Sequence, residues 1–252
     1  MITFPDPTGW HEDETFWDAV SPFIFPPGSF LDEERTAAQI LALAGVERGA
    51  VLDLCCGPGR HSIPLALRGL AVTGVDRSPV LLRQAQENAE EKGVQIELVR
   101  SDMRRFVRPA AFDLALNVSI SFGYFEDPAE NLAVLANVQE SLRPGGAFVL
   151  EVSGKEVEAR RFHNTGSWEV PGHGIVVQRR RILDDWDRME MEWIFLADGA
   201  THLLKTCHWL YSGHELRSLL ATAGFRQTTL YGSFAGDPYG AEADSLIAVA
   251  VK

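Results

Sequence analysis

Three carboxylates follow three successive apolar runs, and their spacing is the most chemically informative feature of the chain. Asp53 lies in Val51-Leu52-Asp53-Leu54, directly before the turn Cys55-Cys56-Gly57-Pro58-Gly59. Asp76 closes Val72-Thr73-Gly74-Val75-Asp76, and Asp102 stands in Ser101-Asp102-Met103 after the run ending at Val99. A strand that enters a glycine turn and then a helix lets a ligand approach the backbone closely, since glycine has no Cβ. That pattern alone serves several nucleotide cofactors. Here Gly57-Pro58-Gly59-Arg60-His61-Ser62 lacks the third glycine of the dinucleotide fingerprint. A carboxylate at Asp53 would repel a pyrophosphate and attract an ammonium or a sulfonium. Asp76 is placed to accept from both hydroxyls of a ribose. Asp102 is placed to accept from an adenine amino group, with Met103 against the ring. One aspartate at a strand end is commonly a cap or loop residue; three in succession select a cationic adenosyl ligand.

To bring these carboxylates together the chain must alternate strands with helices. Short apolar runs at 51–54, 70–75, 94–99, 112–118 and 146–152 read as buried strands. Between them, 60–68, a stretch opened by Ser78-Pro79 and closed by Gly93, and a stretch capped by Asp127-Pro128 read as helices, as does 31–44 before them. The expected fold class is α/β: a Rossmann-like, mostly parallel seven-stranded sheet with helices on both faces. The pattern then changes. Residues 175–183, 188–197 and 201–211 read as three strands of an inserted antiparallel β-meander, with Asp198-Gly199 as a hairpin turn. Met189-Glu190-Met191-Glu192-Trp193 alternates strictly, which predicts one buried face and one wet face. Ser212-Gly213-His214-Glu215 matches a capping box, and 225–231 and 245–251 complete the sheet. The whole chain, 1–252, is expected to be one domain. Its parts are an N-terminal lid and helix (1–45), a cofactor-binding core (46–153), the inserted strands (170–211) and a final helix and strands (212–252). The lid segment is rich in proline and aromatics (Pro5, Pro7, Trp10, Phe16, Trp17, Pro22, Phe23, Phe25, Pro26, Pro27, Phe30), and no long regular element is expected past Pro22.

The net charge of -12 disfavours nucleic acid as a partner. Arg179-Arg180-Arg181 and the set Arg100, Arg104, Arg105, Arg108 are expected on a solvated edge or loop. No apolar run is long enough for a membrane span, and the start of the chain does not read as a signal peptide, so a cytoplasmic location is expected. Three cysteines, two of them adjacent, predict reduced thiols, and no metal-ligand spacing is present.

The run from Val51 to Glu151 resembles the core of class I S-adenosylmethionine-dependent methyltransferases. Val51 to His61 is similar to their first motif, Gly74-Val75-Asp76-Arg77-Ser78 to the ribose motif, and Ser101-Asp102-Met103 to the adenine motif. Phe112 to Asn117 resembles their fourth strand, and Leu142-Arg143-Pro144-Gly145-Gly146 the turn before the fifth. The resemblance implies S-adenosyl-L-methionine as cofactor. Asp53, Cys55, Cys56 and Gly57 would line its methionyl part, Asp76 the ribose, with Arg77 flanking the adenine and Asp102 and Met103 binding it. Asn117 and Val118 would face the methyl-donor end. Where the family has glycine this chain has Cys55, whose side chain is expected to point away from the ligand. The implied reaction is methyl transfer to a nitrogen or oxygen of a small molecule. The alternatives are a non-catalytic S-adenosylmethionine-binding protein and a nicotinamide-dependent reductase. Acceptor-side candidates are Ser119, Ser121, Phe122, Tyr124, His208 and Tyr211, and His61 is assigned to the cofactor loop or the start of its helix. Trp186, Trp193, Phe195 and Trp209 are expected to close the pocket or to join two copies into a homodimer through the meander.

Overall fold

A computed structural model describes residues 2–3, 10–12, 14–25, 32–197, 199–240 and 242–252. Asp198 of the expected hairpin turn, and Pro5, Pro7, Pro26, Pro27 and Phe30 of the expected lid, lie outside the described residues. The chain begins with β1 (Ile2–Thr3), α1 (Glu14–Ile24) and α2 (Glu33–Ala44). An alternating region follows: β2 (Ala50–Leu54), α3 (Ser62–Leu67), β3 (Ala71–Asp76), α4 (Pro79–Glu91), β4 (Glu97–Arg100), β5 (Phe112–Asn117), α5 (Pro128–Ser141) and β6 (Leu142–Val152). Then come α6 (Lys155–Arg161), β7 (Thr165–Val170), β8 (Gly174–Leu183), β9 (Arg188–Ala197) and β10 (Ala200–Trp209). The last elements are α7 (Gly213–Thr222), β11 (Gln227–Tyr231) and β12 (Leu246–Val251).

The large sheet has the order β11-β12-β6-β5-β2-β3-β4, parallel from β6 to β4, with β12 antiparallel to both of its neighbours. Its strands are apolar because both faces are covered. Period-two alternation divides each strand between two cores. Leu52, Leu54, Ala115, Phe148 and Leu150 enter one, while Val51, Leu114, Leu116, Val149 and Ile247 enter the other. β2 pairs with β3 on one side and β5 on the other, so the strand order reverses there and a crevice opens at the strands' carboxyl ends. Helix starts are set by the sequence as expected. Ser78 and Asp127 cap α4 and α5 with proline in the first turn, and Ser212 with Glu215 forms the complete capping box of α7.

The second sheet, order β1-β10-β9-β8-β7, has four antiparallel strands where three were expected, with β1 added in parallel to β10. β7 carries little apolar alternation and is mostly exposed, so its sequence shows no strand signal. α6 also escapes the sequence because only Val157 on it is buried. α1 continues two residues beyond Pro22; the proline stands near its end, where few backbone bonds are left to lose. Arg179–Arg181 correct the expectation of an edge or loop. They lie on β8, flanked by β7 and β9, and Arg179 and Arg181 pair across to Glu192 (3.1 Å) and Glu190 (2.9 Å). The strict alternation on β9 resolves as expected: Glu190 and Glu192 face outward, and Met189 and Phe195 are buried on the inner face. Among the described residues no helix is long and apolar enough to cross a membrane.

Candidate active site

Two connected cavities occupy the crevice between the sheets. The first lies at the ends of β2, β3 and β4, lined by Leu54, Cys55, Gly57, Val75, Asp76, Arg77, Asp102 and Met103, with Trp17, Phe25 and Phe125 over them. Asp76 leaves β3 with one oxygen accepting from Gly57 N and the other from Ser78 N, both at 2.9 Å. Burial raises its carboxyl above the ordinary value, and these backbone donors offset only part of that rise. Each oxygen keeps a further lone pair. Asp102 also reaches the cavity, but Arg104 already holds it, with Nε 3.0 and 3.1 Å from its two oxygens and the Arg104 amide at 2.8 Å. Burial would raise this carboxyl; the Arg104 contacts outweigh that and lower it. Arg77 lies 3.5 Å from Asp102 and 3.0 Å from Glu12, which ties the N-terminal segment to this rim.

Cys55 adopts φ 63°, a left-handed backbone conformation that glycine accepts freely and an L-residue does not. The expectation that its side chain points away is corrected. Cys55 Sγ lies 3.5 Å from Met103 Sδ, and both residues line the cavity, so the thiol narrows the groove. Burial pushes the thiol well up, as do the Asp76 and Asp53 charges. The Cys56 thiol turns under β3 instead: a Cβ at Gly74 would come 3.0 Å from its sulfur. Asp53 and Asn117 stand behind the wall rather than on it, on opposite faces of the sheet and each turned to a partner beneath the loop. Asp53 is fully buried and accepts from Ser62 Oγ at 2.6 Å. Asn117 donates to Leu54 O at 3.1 Å, and its Oδ1 is buried without a protein partner.

The second cavity encloses about 400 Å³, within the range of sites for small ligands. Its floor is Arg60, His61, Val118, Ser119, Ser121 and Tyr124. Its roof is the inner face of the second sheet: Gln178 and Arg180 from β8, Met189, Met191 and Trp193 from β9, Leu204, Thr206 and His208 from β10. Trp10, Trp17 and Phe25 close the side, and Phe23 seats this segment against the fully buried Phe195, ring centroids 4.9 Å apart. Trp17, Phe25, Cys55, Gly57, Ser121 and Tyr124 belong to both cavities and form their junction.

Ser119, Ser121, Tyr124 and His208 thus come together as expected. Phe122 and Tyr211 do not; they pack on each other in the core at 5.6 Å. His208 bonds to Ser153 Oγ at 3.2 Å, and burial pushes it down to about 4, so it is neutral. Of the lining residues from β8, β9 and β10, the sequence pointed to Trp193 and His208 but not to Gln178, Arg180, Met189, Met191, Leu204 and Thr206, although the alternation on β9 named the face that would carry its share. His61 stands at the start of α3, one of its two expected places. Its ring borders the second cavity, with Nδ1 3.1 Å from Glu33 Oε2 and Nε2 3.4 Å from Ser119 Oγ. Of the four meander aromatics, Phe195 and Trp193 face inward, Trp209 donates to Phe125 O at 2.7 Å, and Trp186 packs edge-on against Phe162.

The first cavity suits an adenosyl group. It offers a carboxylate with open lone pairs at the end of β3 and a thioether wall at Met103. Comparison with known proteins agrees. The family profile described as Methyltransferase domain matches residues 51–146. A cypemycin N-terminal methyltransferase from Streptomyces sp is 30% identical over 237 residues, covering 92% of this chain and 93% of that protein. A glycine/sarcosine N-methyltransferase from Halorhodospira halochloris is 26% identical, covering 82% of this chain and 77% of its own. An S-adenosylmethionine-dependent methyltransferase from Clostridium acetobutylicum superposes with a TM-score of 0.76 at 16% identity, over 94% of this chain and 97% of that one. The readings as a non-catalytic binder and as a nicotinamide-dependent reductase therefore give way. With its sheet order, its strand-end cleft and this similarity along nearly its full length, the chain belongs to the class I S-adenosylmethionine-dependent methyltransferases.

Proposed function

We propose that the protein transfers a methyl group to the nitrogen of a small-molecule amine held in the second cavity. The observation that carries this reading is the junction at Cys55, Gly57, Ser121 and Tyr124, which joins the strand-end cleft to a largely apolar cavity of about 400 Å³. In this reading Asp76 holds the ribose hydroxyls, Met103 and Arg77 flank the adenine, and Asp102, clamped by Arg104, shapes the adenine end. Cys55 and Gly57 border the methionyl part, Val118 and Ser119 lie on the acceptor side, and Asp53 and Asn117 buttress the loop from behind. The bound cofactor supplies a methyl already activated by a sulfonium. The protein's share of the work is to align the nitrogen, exclude water and receive a proton. Trp10, Trp17, Phe25 and the roof of β8, β9 and β10 exclude water.

Nitrogen is favoured over oxygen by the relative named as a glycine/sarcosine N-methyltransferase, by the one named as an N-terminal methyltransferase, and by a chain charge of -12, which attracts a cationic amine. An acceptor with an apolar body fits Met189, Met191, Trp193 and Leu204 overhead. The test is release of S-adenosylhomocysteine across a panel of free amino acids, amino sugars, short peptides with a free α-amine, phenols and carboxylic acids. N-methylated products support the reading; turnover confined to the phenols or acids refutes it. A homodimer through the outer face of the second sheet belongs to the same reading, supported by the exposure of Ile175 and Leu196 there. Sedimentation that finds only monomer at assay concentrations removes it.

A further inference from the structure

We propose that His61, oriented by Glu33, is the catalytic residue that takes the proton from the acceptor amine. This rests on the amine reading above and goes beyond it by naming the base. Glu33 is the first residue of α2 and His61 precedes α3, so the pair joins two helices 28 positions apart in sequence. Both side chains are only 10% exposed, with Nδ1 of the ring 3.1 Å from Glu33 Oε2. Burial alone would raise the Glu33 carboxyl. The hydrogen bond and charge of His61 and the charge of Arg60 outweigh it, and the carboxyl lies below its ordinary value. With Nδ1 turned to this carboxylate, Nε2 is the ring nitrogen left to take a proton. That nitrogen lies 3.4 Å from Ser119 Oγ, on the floor of the second cavity.

The surroundings are arranged for this ring. Ser119 and Ile120 both adopt left-handed backbone, φ 59° and 56°, in the turn that brings the hydroxyl to His61. The Ser119 amide donates to Glu151 Oε2 at 2.8 Å, and its hydroxyl accepts from Arg60 Nη2 at 2.9 Å. The charged groups around the ring are Glu33, the buried Asp53 and Arg60. The other titratable groups on the cavity are less suited. His208 is held near 4 and bonds to Ser153, Glu158 is tied to Arg180 at 3.6 Å, and Tyr124 is pushed up by burial.

The step balances. An ammonium acceptor gives one N–H proton to His61 Nε2, which frees its lone pair. The lone pair forms the new nitrogen–carbon bond as the carbon–sulfur bond breaks onto sulfur. The product leaves as the methylated ammonium, and the imidazolium returns its proton to water. Glu33 acts through the ring as a positioning residue.

The experiment measures S-adenosylhomocysteine release from the panel's best-turned-over α-amine, across pH 6 to 9.5, for wild type, His61→Gln, His61→Asn, Glu33→Gln and Glu33→Asp. Thermal melting checks folding, and calorimetry measures S-adenosylmethionine affinity. A general base of this kind contributes roughly 100-fold or more. His61→Gln and His61→Asn are therefore expected to lose about 100-fold in kcat near pH 6.5. They should approach wild type above the α-amine's own pKa of about 8, where free amine enters without help. Glu33→Gln should move the acid limb to lower pH with a smaller loss, and Glu33→Asp should recover part of it. A loss that is uniform across pH overturns the proposal in favour of a structural pair. So does a weakened S-adenosylmethionine affinity with kcat unchanged, which makes His61 a cofactor contact. A wild-type pH profile in the His61 variants removes the relay and leaves amine methylation standing. A wild type that methylates no amine in the panel removes both.

Discussion

The residue that departs from the glycine pattern, Cys55, allows a sharp test of how the cofactor loop is built. Its φ of 63° puts an L-side chain where left-handed backbone costs roughly 1–2 kcal/mol. Glycine removes that cost and loses more chain entropy on folding, about 0.5–1 kcal/mol relative to alanine. Comparing Cys55→Gly with Cys55→Ala cancels the thiol contact to Met103, which both variants lack. The difference left is strain against entropy, and glycine should be the more stable by about 0.5–1 kcal/mol. For a chain of this size that is a shift of about 1–4 °C in Tm. The assay is urea unfolding without ligand, with thermal melting as a check. Cys55 also forms part of the wall between the two cavities. Cys55→Gly should therefore bind S-adenosylhomocysteine at least as tightly as wild type, whereas Cys55→Val, branched and bulkier in the same backbone, should bind at least about tenfold more weakly. If the alanine variant is as stable as the glycine variant, or valine binds normally, the assignment of a strained, groove-narrowing side chain is wrong.

Asp76→Ala removes the acceptor for two backbone amides and should cost about 2–4 kcal/mol of stability. Losing two charge-assisted bonds to a ribose should weaken S-adenosylmethionine binding by about 100-fold or more, and calorimetry showing an unchanged Kd would refute the ribose role. Burial raises the Asp53 carboxyl above its ordinary 3.8, so the folded protein holds that proton more tightly than the unfolded chain. Its contribution is complete below about 3.8 and is lost as pH rises through the raised folded value. Wild-type stability minus that of Asp53→Asn should therefore fall with rising pH across this window and be flat above it; a difference that grows with pH means the charged form is stabilised. Glu97 shows the opposite sign: Arg108 and Thr73 pull it down to about 2, so its contribution is present above 4.5 and lost as pH falls towards that value. Its side chain is 52% exposed, and solvent screening should hold the cost of Glu97→Gln at pH 7 under about 1 kcal/mol. A loss above about 2 kcal/mol would show a far less screened pair.

The alternation of apolar runs with capped helices was enough to predict the large sheet, and with it Asp76, Gly57 and Met103 on one cleft. Each of these depends on a strand end and the few residues beyond it, so local spacing determines them. The same spacing misplaced Asp53 and Asn117. One step of the pleat decides which side of a loop a side chain enters, and the apolar pattern around them is the same either way. Most of the second cavity's roof was beyond local reading. Period two on β9 says that Met189, Met191 and Trp193 share a face, but not that this face lies over Ser119 and Tyr124, some 70 positions earlier. His61 illustrates the limit best. Its neighbours in sequence assign it to the glycine loop or the start of its helix, while its neighbour in space is Glu33, brought there only when α2 packs beside α3 on the sheet. Sequence therefore determined the strands of the large sheet, the caps and the cofactor turn, because their causes lie within a few residues. Tertiary structure decided the acceptor chamber, because its walls come from segments that meet only when the second sheet closes over the first.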